Sequence, residues 1–286
     1  MAILTDDQKR LFHEIGAITV DGAVTAAQLS ALQHDFAAWV EESRRHDAPF
    51  GEMADGRPRF DVEPGHSAAR PALRRVAAPD ELSDAYLDVL NSGRMTDMVA
   101  DLIGPDIRLH HCKINSKLPD TATAVKWHQD FTFDPHSNDD QITALLFLDD
   151  VTAENGPLHV APGSHRGPLL PLWHDGRFTG AVDEATAARL QSGAVIQTGP
   201  AGAACLMHSR LAHASGANRS DRARTLFIAA IAAADAVPLA PNAVPSIHAG
   251  MLLRGTEPGR IRSTAFEIDM PEIPAGASFF DQQTGD

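Results

Sequence analysis

The feature that most limits the possible folds of this chain is a series of short apolar segments that begins near residue 107. Turns containing Gly or Pro, such as Asn155-Gly156-Pro157, separate these segments. The candidate strands are 107–115, 124–131, 141–148, 157–160, 194–197, 203–208, 223–233 and 262–268. Eight short strands at this spacing indicate a mainly β fold, with two sheets arranged as a barrel or jelly roll.

The part of the chain before these strands has mostly helical periodicity. Thr5 and Thr25 each precede a helical pattern and have a glutamine three residues later, which is typical of a capping box. A short apolar segment between these two helices, Ala17 to Val20, is predicted to be a strand, and residues 80–103 are predicted to form a pair of helices.

Residues 46–79 have no clear period, and we predict that they form a long loop or lid. The chain is therefore expected to be a single domain over 1–286. Its helical part and lid would occupy about 1–105, and its β core about 106–270.

Composition narrows the range of partners. The formal net charge of -14 disfavours nucleic acid and anionic membranes, because like charges repel. Cys112 and Cys205 are the only cysteines and form no disulfide or metal motif. The N-terminus lacks the pattern of a secretion signal. We expect a cytoplasmic protein with a small-molecule substrate, and we leave open whether it forms a homo-oligomer.

One short motif has metal-binding chemistry. His128 and Asp130 are two residues apart, so they would share one face of a strand. An imidazole and a carboxylate supply two of the three ligands in a facial triad of the iron(II) oxygenase type. However, random placement of 14 His and 27 Asp in 286 residues gives about one such pair, so the motif alone is weak.

A second segment strengthens this hypothesis. His213 follows 85 residues after His128, near a predicted strand end, and Arg224 lies in the apolar strand that comes next. A buried arginine is unfavourable without an anionic partner. The partner could be the carboxylate of a bound dicarboxylate, or it could be a nearby aspartate in a structural ion pair.

Four blocks keep their order and spacing around these residues. They are Lys117-Leu118-Pro119-Asp120 leading to Trp127-His128-Gln129-Asp130, then Asp149 to Gly167 with Asn155-Gly156-Pro157-Leu158 and Pro162-Gly163-Ser164-His165, then His213 to Ser220, and finally Arg224. With these blocks the chain resembles the phytanoyl-CoA dioxygenase family of iron(II)/2-oxoglutarate oxygenases over about residues 3–235.

The resemblance implies roles for individual residues. His128, Asp130 and His213 match the iron ligands of the family, and they are the expected catalytic centre. Arg224 and Ser215 match the pair that binds the distal carboxylate of 2-oxoglutarate. Lys113 falls where family members line the co-substrate pocket.

The resemblance also implies a fold, a set of cofactors and a reaction. The fold is a double-stranded β-helix, a jelly roll of the cupin type, with flanking helices. The cofactors and co-substrates are iron(II), 2-oxoglutarate and dioxygen, and the expected reaction hydroxylates an unactivated C–H bond with release of succinate and carbon dioxide. The carboxylate of Asp130 argues against a halogenase. Desaturation and ring formation stay open.

Two other histidines are less suitable as ligands. His165 belongs to a turn in the family pattern, so a structural role is favoured. His208 is near His213 but has the wrong spacing to Arg224.

Arginines are frequent in the lid and near the tail, and two interpretations of them stay open. Most of them are expected to pair with the many carboxylates on the surface. Alternatively, one or two reach over the mouth of the site and bind a carboxylate, phosphate or phosphonate of a small polar or zwitterionic substrate. The arginines are Arg57, Arg59, Arg70, Arg74, Arg75, Arg254, Arg260 and Arg262.

Two rival functions also stay open on the sequence alone. The first is a non-catalytic protein that binds a metal or 2-oxoglutarate as a sensor. The second is a cupin-like metalloenzyme that does not use 2-oxoglutarate. Succinate formation in the presence of iron would exclude the sensor. The cupin-like enzyme predicts that Arg224→Ala leaves turnover nearly intact, whereas an enzyme that uses 2-oxoglutarate should lose most of its affinity for it in that variant.

Overall fold

A computed structural model describes residues 2–119, 121, 123–274 and 283. Asp120, which belongs to the first of the four motif blocks, lies outside the described residues. Residues 275–282 and 284–286 of the expected single domain lie outside them as well.

Five α-helices occur in the described residues, four of them before the β core. Their bounds are α1 Asp6–Ile15, α2 Ala26–Ser43, α3 Asp84–Ser92, α4 Arg94–Ile103 and α5 Glu184–Ser192. The capping boxes predicted at Thr5 and Thr25 are both formed. Gly93 separates the predicted pair of helices over 80–103.

Fourteen strands occur in the same described ranges. Their bounds are β1 Ala17–Val20, β2 Phe60–Val62, β3 Leu73–Ala77, β4 Ile107–Lys117, β5 Val125–His128, β6 Gln141–Phe147, β7 Leu158–Val160, β8 Trp173–His174, β9 Arg177–Phe178, β10 Val195–Gln197, β11 Ala204–His208, β12 His213–Ser215, β13 Arg224–Ala233 and β14 Leu252–Arg254.

These strands form two main antiparallel sheets. The larger sheet has the order β1-β11-β6-β13-β4-β3-β2, with β14 also paired to β4. The smaller sheet has the order β10-β7-β12-β5. Both β8 and β9 pair only with each other. This architecture confirms the predicted jelly roll with flanking helices.

Strand alternation divides the side chains of the larger sheet between two cores. On β13, Phe227 and Ile231 join the core that the sheet forms with α1–α4. Leu226 and Ile228 instead join the core on the inner face. Since side chains two apart share a face, Arg224 is placed on the inner face with Leu226.

Seven of the eight predicted strands are present, with ends that differ by up to three residues. The prediction of a strand over 262–268 is wrong. That segment is exposed and irregular, and its backbone bonds only to loops, through Arg262 to Asp235 and Thr264 to Ser137. An alternating pattern cannot form a strand where no sheet edge is available.

The prediction for residues 46–79 is wrong in part. The segment contains β2 and β3, which extend the larger sheet beyond β4. The short strands β12 and β14 and the helix α5 were also missed. Three-residue strands carry too little periodicity to be seen in sequence.

None of the helices in the described part of the chain is long and apolar enough to cross a membrane.

Gly16 ends α1, and the turn that contains His165 packs against it at the start of the larger sheet. Its φ is +93°, and a Cβ atom there would lie 2.5 Å from His165 Nδ1 and 2.7 Å from a Leu211 methyl carbon. Leu211 lies two residues before His213, the first residue of β12. The turn therefore needs glycine both for its backbone conformation and for close packing.

We expect Gly16→Ala to lower the free energy of unfolding by about 2–4 kcal/mol, because positive φ and overpacking act together. Gly250→Ala is the matched control. Gly250 has a φ of +82° with open space around it, so only the backbone term of about 1–2 kcal/mol should be lost. Urea denaturation followed by circular dichroism measures both. Equal losses in the two variants would show that the packing against His165 contributes nothing.

Candidate metal centre and co-substrate cavity

Two strands of the smaller sheet bring distant histidines together. β12 pairs with β5 in antiparallel register, and His213 is directly opposite His128. β5 ends at His128, and Asp130 begins a short 3₁₀ turn rather than continuing the strand as predicted. The carboxylate reaches the two imidazoles through this turn and not through strand alternation.

The three side chains meet at one point. Asp130 Oδ1 lies 3.4 Å from His128 Nε2 and 3.6 Å from His213 Nε2. Each residue offers one ligand atom, and these atoms all lie within 4.8 Å of one another. The sequence prediction that these residues lie together therefore agrees with the structure, and the arrangement could hold a metal ion.

Backbone carbonyls fix both imidazole rings in the form that a metal needs. His128 Nδ1 lies 2.8 Å from the Lys126 carbonyl, and His213 Nδ1 lies 2.9 Å from the Leu211 carbonyl. A carbonyl only accepts hydrogen bonds, so each Nδ1 carries the proton. Each Nε2 lone pair then points toward Asp130, as a metal ligand requires.

Electrostatics favour a neutral histidine and an ionised aspartate. Burial lowers the pKa of His213 to about 4. Burial opposes ionisation of Asp130, but His213, His128 and Lys113 together hold its pKa below the ordinary value. Thr143 Oγ1 donates to Asp130 Oδ2 at 2.6 Å and so orients the carboxylate.

A cavity extends from this cluster into the space between the sheets. We call it the inner cavity. Leu145, Met207 and Leu226 form part of its apolar wall, and Arg224 lies in its lining. Its empty volume of about 660 Å³, including its opening, suits a small molecule.

The Arg224 guanidinium is buried, and its Nη2 donates a hydrogen bond to the Gly156 carbonyl at 2.9 Å. Its Nε has no acceptor, and no carboxylate in the described ranges lies within ion-pair distance. Burial lowers its pKa to about 10, so it still carries charge at neutral pH. The alternative of a structural ion pair with an aspartate is therefore disfavoured, and a ligand carboxylate would satisfy the charge.

Lys117 was missed as a functional residue, although it begins one of the motif blocks. Its Nζ donates to Ser215 Oγ at 2.7 Å and to the Gly216 carbonyl at 2.5 Å, and it lines the inner cavity with Arg224. Burial lowers its pKa well below the ordinary value. Ser215, Lys117 and Arg224 thus form one polar group within the inner cavity.

A second cavity opens on the other side of the cluster, and we call it the outer cavity. It shares Lys113, His128 and Asp130 with the inner cavity, and its lining also includes Arg75 and Asp134. Lys113 was predicted to line the co-substrate pocket. It lies at the junction of the two cavities, and its role stays a prediction.

A second group of potential ligands, which sequence spacing did not indicate, adjoins the outer cavity. His110, His111 and Asp134 offer ligand atoms within 4.8 Å of one another. Arg75 and the half-buried Lys113 act electrostatically on the same groups, and burial lowers the pKa of both histidines. A further cation there would meet this positive charge, so the first cluster is the better metal site.

The other histidine candidates lie apart from the cluster. His165 and His208 are 5.2 Å from each other, measured between ring centroids, and His208 stacks on Phe12 of α1. Leu146, where some family members have tryptophan, belongs to the core against the helices. Its neighbour Leu145 lines the inner cavity instead.

A jelly roll with a two-histidine, one-carboxylate cluster and an adjoining cavity is the architecture of a mononuclear metal oxygenase. The phytanoyl-CoA dioxygenase family model matches residues 12–226. The chain belongs to this family.

Known relatives agree with this membership. A probable alpha-ketoglutarate-dependent hypophosphite dioxygenase of Stutzerimonas stutzeri is 29% identical over 94% of this chain and 90% of its own length. An L-proline trans-4-hydroxylase of Streptomyces griseoviridis is 31% identical over 62% of this chain and 72% of its own. The crystal structure of EctD from S. alaskensis with bound Fe shares the fold, with a TM-score of 0.69, 23% identity and coverage of 94% and 89%.

The predicted enzyme class is therefore confirmed: the chain is a dioxygenase of the iron(II)- and 2-oxoglutarate-dependent type. The roles of individual residues rest on the geometry described above and are argued below as proposals.

We expect Thr143→Val to weaken binding of divalent metal about 10–100-fold, because Asp130 loses the hydrogen bond that orients it. Titration of the metal-free protein with Mn(II), followed by calorimetry, measures this affinity.

Thr96→Val is the control for this experiment. Thr96 is also buried and donates to the Leu90 carbonyl at 2.8 Å, far in the fold from the cluster. The Thr96→Val variant should lose about 1 kcal/mol of stability and bind Mn(II) with the affinity of the wild-type protein. Unchanged Mn(II) affinity in Thr143→Val would contradict the assigned role of the threonine.

Proposed function

We propose that this protein hydroxylates a small polar or anionic molecule, with His128, Asp130 and His213 holding iron(II) and Arg224 with Ser215 binding the distal carboxylate of 2-oxoglutarate. One observation carries the proposal. The inner cavity links a two-histidine, one-carboxylate cluster to a buried arginine that lacks a carboxylate partner among the described residues.

The chemistry of the donor set fits iron(II). Two neutral imidazoles and one ionised carboxylate leave positions open on one side of an ion, as 2-oxoglutarate and dioxygen need. Both imidazoles have their Nε2 atoms turned toward the carboxylate. When bound, iron would supply the activation of dioxygen, which amino-acid side chains cannot provide.

The residues of the chain bind the co-substrate and exclude water. Arg224 places positive charge in the lining of the inner cavity, where Lys117 donates a hydrogen bond to the Ser215 hydroxyl. Charge-assisted hydrogen bonds of this kind contribute about 1.5–3 kcal/mol each. The apolar walls, including Leu145 and Met207, limit the access of water to the bound co-substrate.

The overall reaction balances with one substrate, one 2-oxoglutarate and one dioxygen. One oxygen atom enters the substrate as a hydroxyl group, and the other enters succinate as carbon dioxide leaves. Desaturation or ring closure on this scaffold would release water instead, and product analysis separates these results.

The substrate class is supported by the relatives and by the cavity. The relatives named above act, by their names, on hypophosphite and on L-proline, and a 2-aminoethylphosphonate dioxygenase from an uncultured bacterium is 29% identical over 80% of this chain. All three are small and polar. The outer cavity, with Arg75 and Lys113 in its lining, has matching chemistry.

The first test is succinate release by anaerobically iron-loaded protein after addition of 2-oxoglutarate and oxygen, with a panel of small acids, amino acids and phosphonates. We expect one compound to stimulate release, and His128→Ala to abolish it. Binding of iron and 2-oxoglutarate without stimulated succinate would favour the sensor. Turnover of a substrate without succinate would favour the cupin-like metalloenzyme.

We expect Arg224→Met to weaken 2-oxoglutarate binding by about 100-fold, because the carboxylate would lose a buried bidentate partner worth about 3 kcal/mol. The visible charge-transfer absorbance of the anaerobic iron complex measures this affinity. Arg222→Met is the matched control, since Arg222 is exposed and two residues away. Equal 2-oxoglutarate affinity in the two variants would remove Arg224 from the site.

A further inference from the structure

Arg75 differs from the other arginines of the predicted lid that are buried or half-buried, whereas Arg70 of the same segment is exposed to solvent. Arg57 pairs with Asp55 at 2.7 Å, and Arg74 pairs with Asp61 at 2.7 Å. Arg59 likewise has a carboxylate partner. Arg75 has neither an ion pair nor a side-chain hydrogen bond within the described residues, and its Nε is buried without an acceptor.

The sheet explains where this side chain points. Arg75 lies on β3 directly opposite Asn115 of β4. Paired residues share a face, and Lys113 is two residues from Asn115 on that face. The pairing therefore places Arg75 beside Lys113, and both side chains line the outer cavity.

The burial of Arg75 is unfavourable without a ligand. Its side chain is only 4% exposed, and burial lowers its pKa to about 10, so the guanidinium is still charged at neutral pH. The Asp61 carboxylate, which acts on it electrostatically, is bound by Arg74 instead. A buried cation in this state calls for an anion, and a guanidinium matches planar or tetrahedral oxoanions with two parallel hydrogen bonds.

The cavity places such an anion next to the reacting centre. The outer cavity includes both Arg75 and the cluster residues His128 and Asp130. Apolar side chains of 241–244 and 271–274 form much of the rest of its wall. A molecule anchored at Arg75 would therefore lie in the same space as the iron site, on the side away from Arg224.

Two carboxylates also line the outer cavity, so it does not attract all anions. Asp134 and Glu272 are both in its wall, and burial raises the pKa of Asp134 to about 6. Neither forms an ion pair with Arg75 in the described part of the molecule. The cavity is expected to select an oxoanion by the geometry of one guanidinium, and not by its net charge.

We propose that the substrate carries a small oxoanionic group, a carboxylate or a phosphorus oxyanion, and that Arg75 is the residue that binds it and so determines specificity. This proposal rests on the proposed hydroxylase function. The oxoanion stays intact in the reaction, and the hydrogen that is replaced lies on a carbon or phosphorus atom of the same molecule.

Binding can be measured without turnover. The protein is loaded with iron(II) and saturating 2-oxoglutarate under anaerobic conditions, and calorimetry follows the addition of propionate, methylphosphonate, hypophosphite or neutral propionamide. We expect at least one of the three oxoanions to bind at concentrations up to about 10 mM, whereas propionamide should not bind. Comparison of the affinity for propionate with the affinities for the two phosphorus compounds shows whether the site prefers a carboxylate or a phosphorus oxyanion.

Variants then test the residue. Arg75→Met should lower the affinity for the oxoanion at least about tenfold. Arg75→Lys should lower this affinity less, because the charge stays while the paired hydrogen-bond geometry is lost. Arg108→Met is the control, because Arg108 lies on β4 and pairs with Glu257 outside the cavity. All three variants should bind 2-oxoglutarate with wild-type affinity, which also shows that they are folded.

Three results would overturn the proposal. The first is that the wild-type protein binds 2-oxoglutarate but none of the oxoanions. The second is that Arg75→Met binds the oxoanion as tightly as the wild-type protein. The third is that Arg75→Met loses affinity for 2-oxoglutarate and not for the oxoanion. In each case the hydroxylase function survives, because iron and 2-oxoglutarate still bind to the wild-type protein. Absence of 2-oxoglutarate binding to the iron-loaded wild type would instead overturn both.

Discussion

The antiparallel pairing of β12 with β5 is the constraint on which the rest of the site depends. It sets His213 opposite His128 although 85 residues separate them in sequence. The same strand pairs with β7 on its other side, so its position is fixed from both edges. A shift of one residue would turn His213 to the opposite face and remove it from Asp130. The meeting of the three proposed metal ligands is thus a consequence of sheet register.

The larger sheet places several basic side chains around this cluster. Its inner face carries Lys113 and Lys117 on β4, Arg224 on β13 and Arg75 on β3. Arg75, Lys117 and Arg224 are buried and Lys113 is half-buried, which is a strong local exception in a chain of net charge -14. They divide between the two cavities, with Lys113 at the junction. The arrangement fits a reaction in which two anions approach one metal ion from different sides.

The structure shows what several residues of the motif blocks contact. The glycine of Asn155-Gly156-Pro157 presents its carbonyl to Arg224, and its φ of +78° excludes most other residues. Asn218 donates to the carbonyls of Lys117 and Arg222, which fixes the loop that leads into β13. Gly156 and Asn218 hold the arginine and the lysine in position, which accounts for a family pattern that extends beyond the proposed metal ligands.

The sequence by itself determined the capping boxes of α1 and α2, seven strands of the jelly roll and the family, because caps, periodicity and motif spacing are local properties. It also picked out His128, Asp130 and His213, although their His-x-Asp pair alone was no better than chance. Only the tertiary structure decided that these side chains meet, since that depends on strand register and on a turn that ended β5 early. The positions of Lys117 and Arg75 in the two cavities likewise depend on tertiary packing. Nothing in this arginine-rich segment of the sequence distinguishes Arg75, a buried arginine without a carboxylate partner in the described residues, from Arg57, Arg59 and Arg74, which have one.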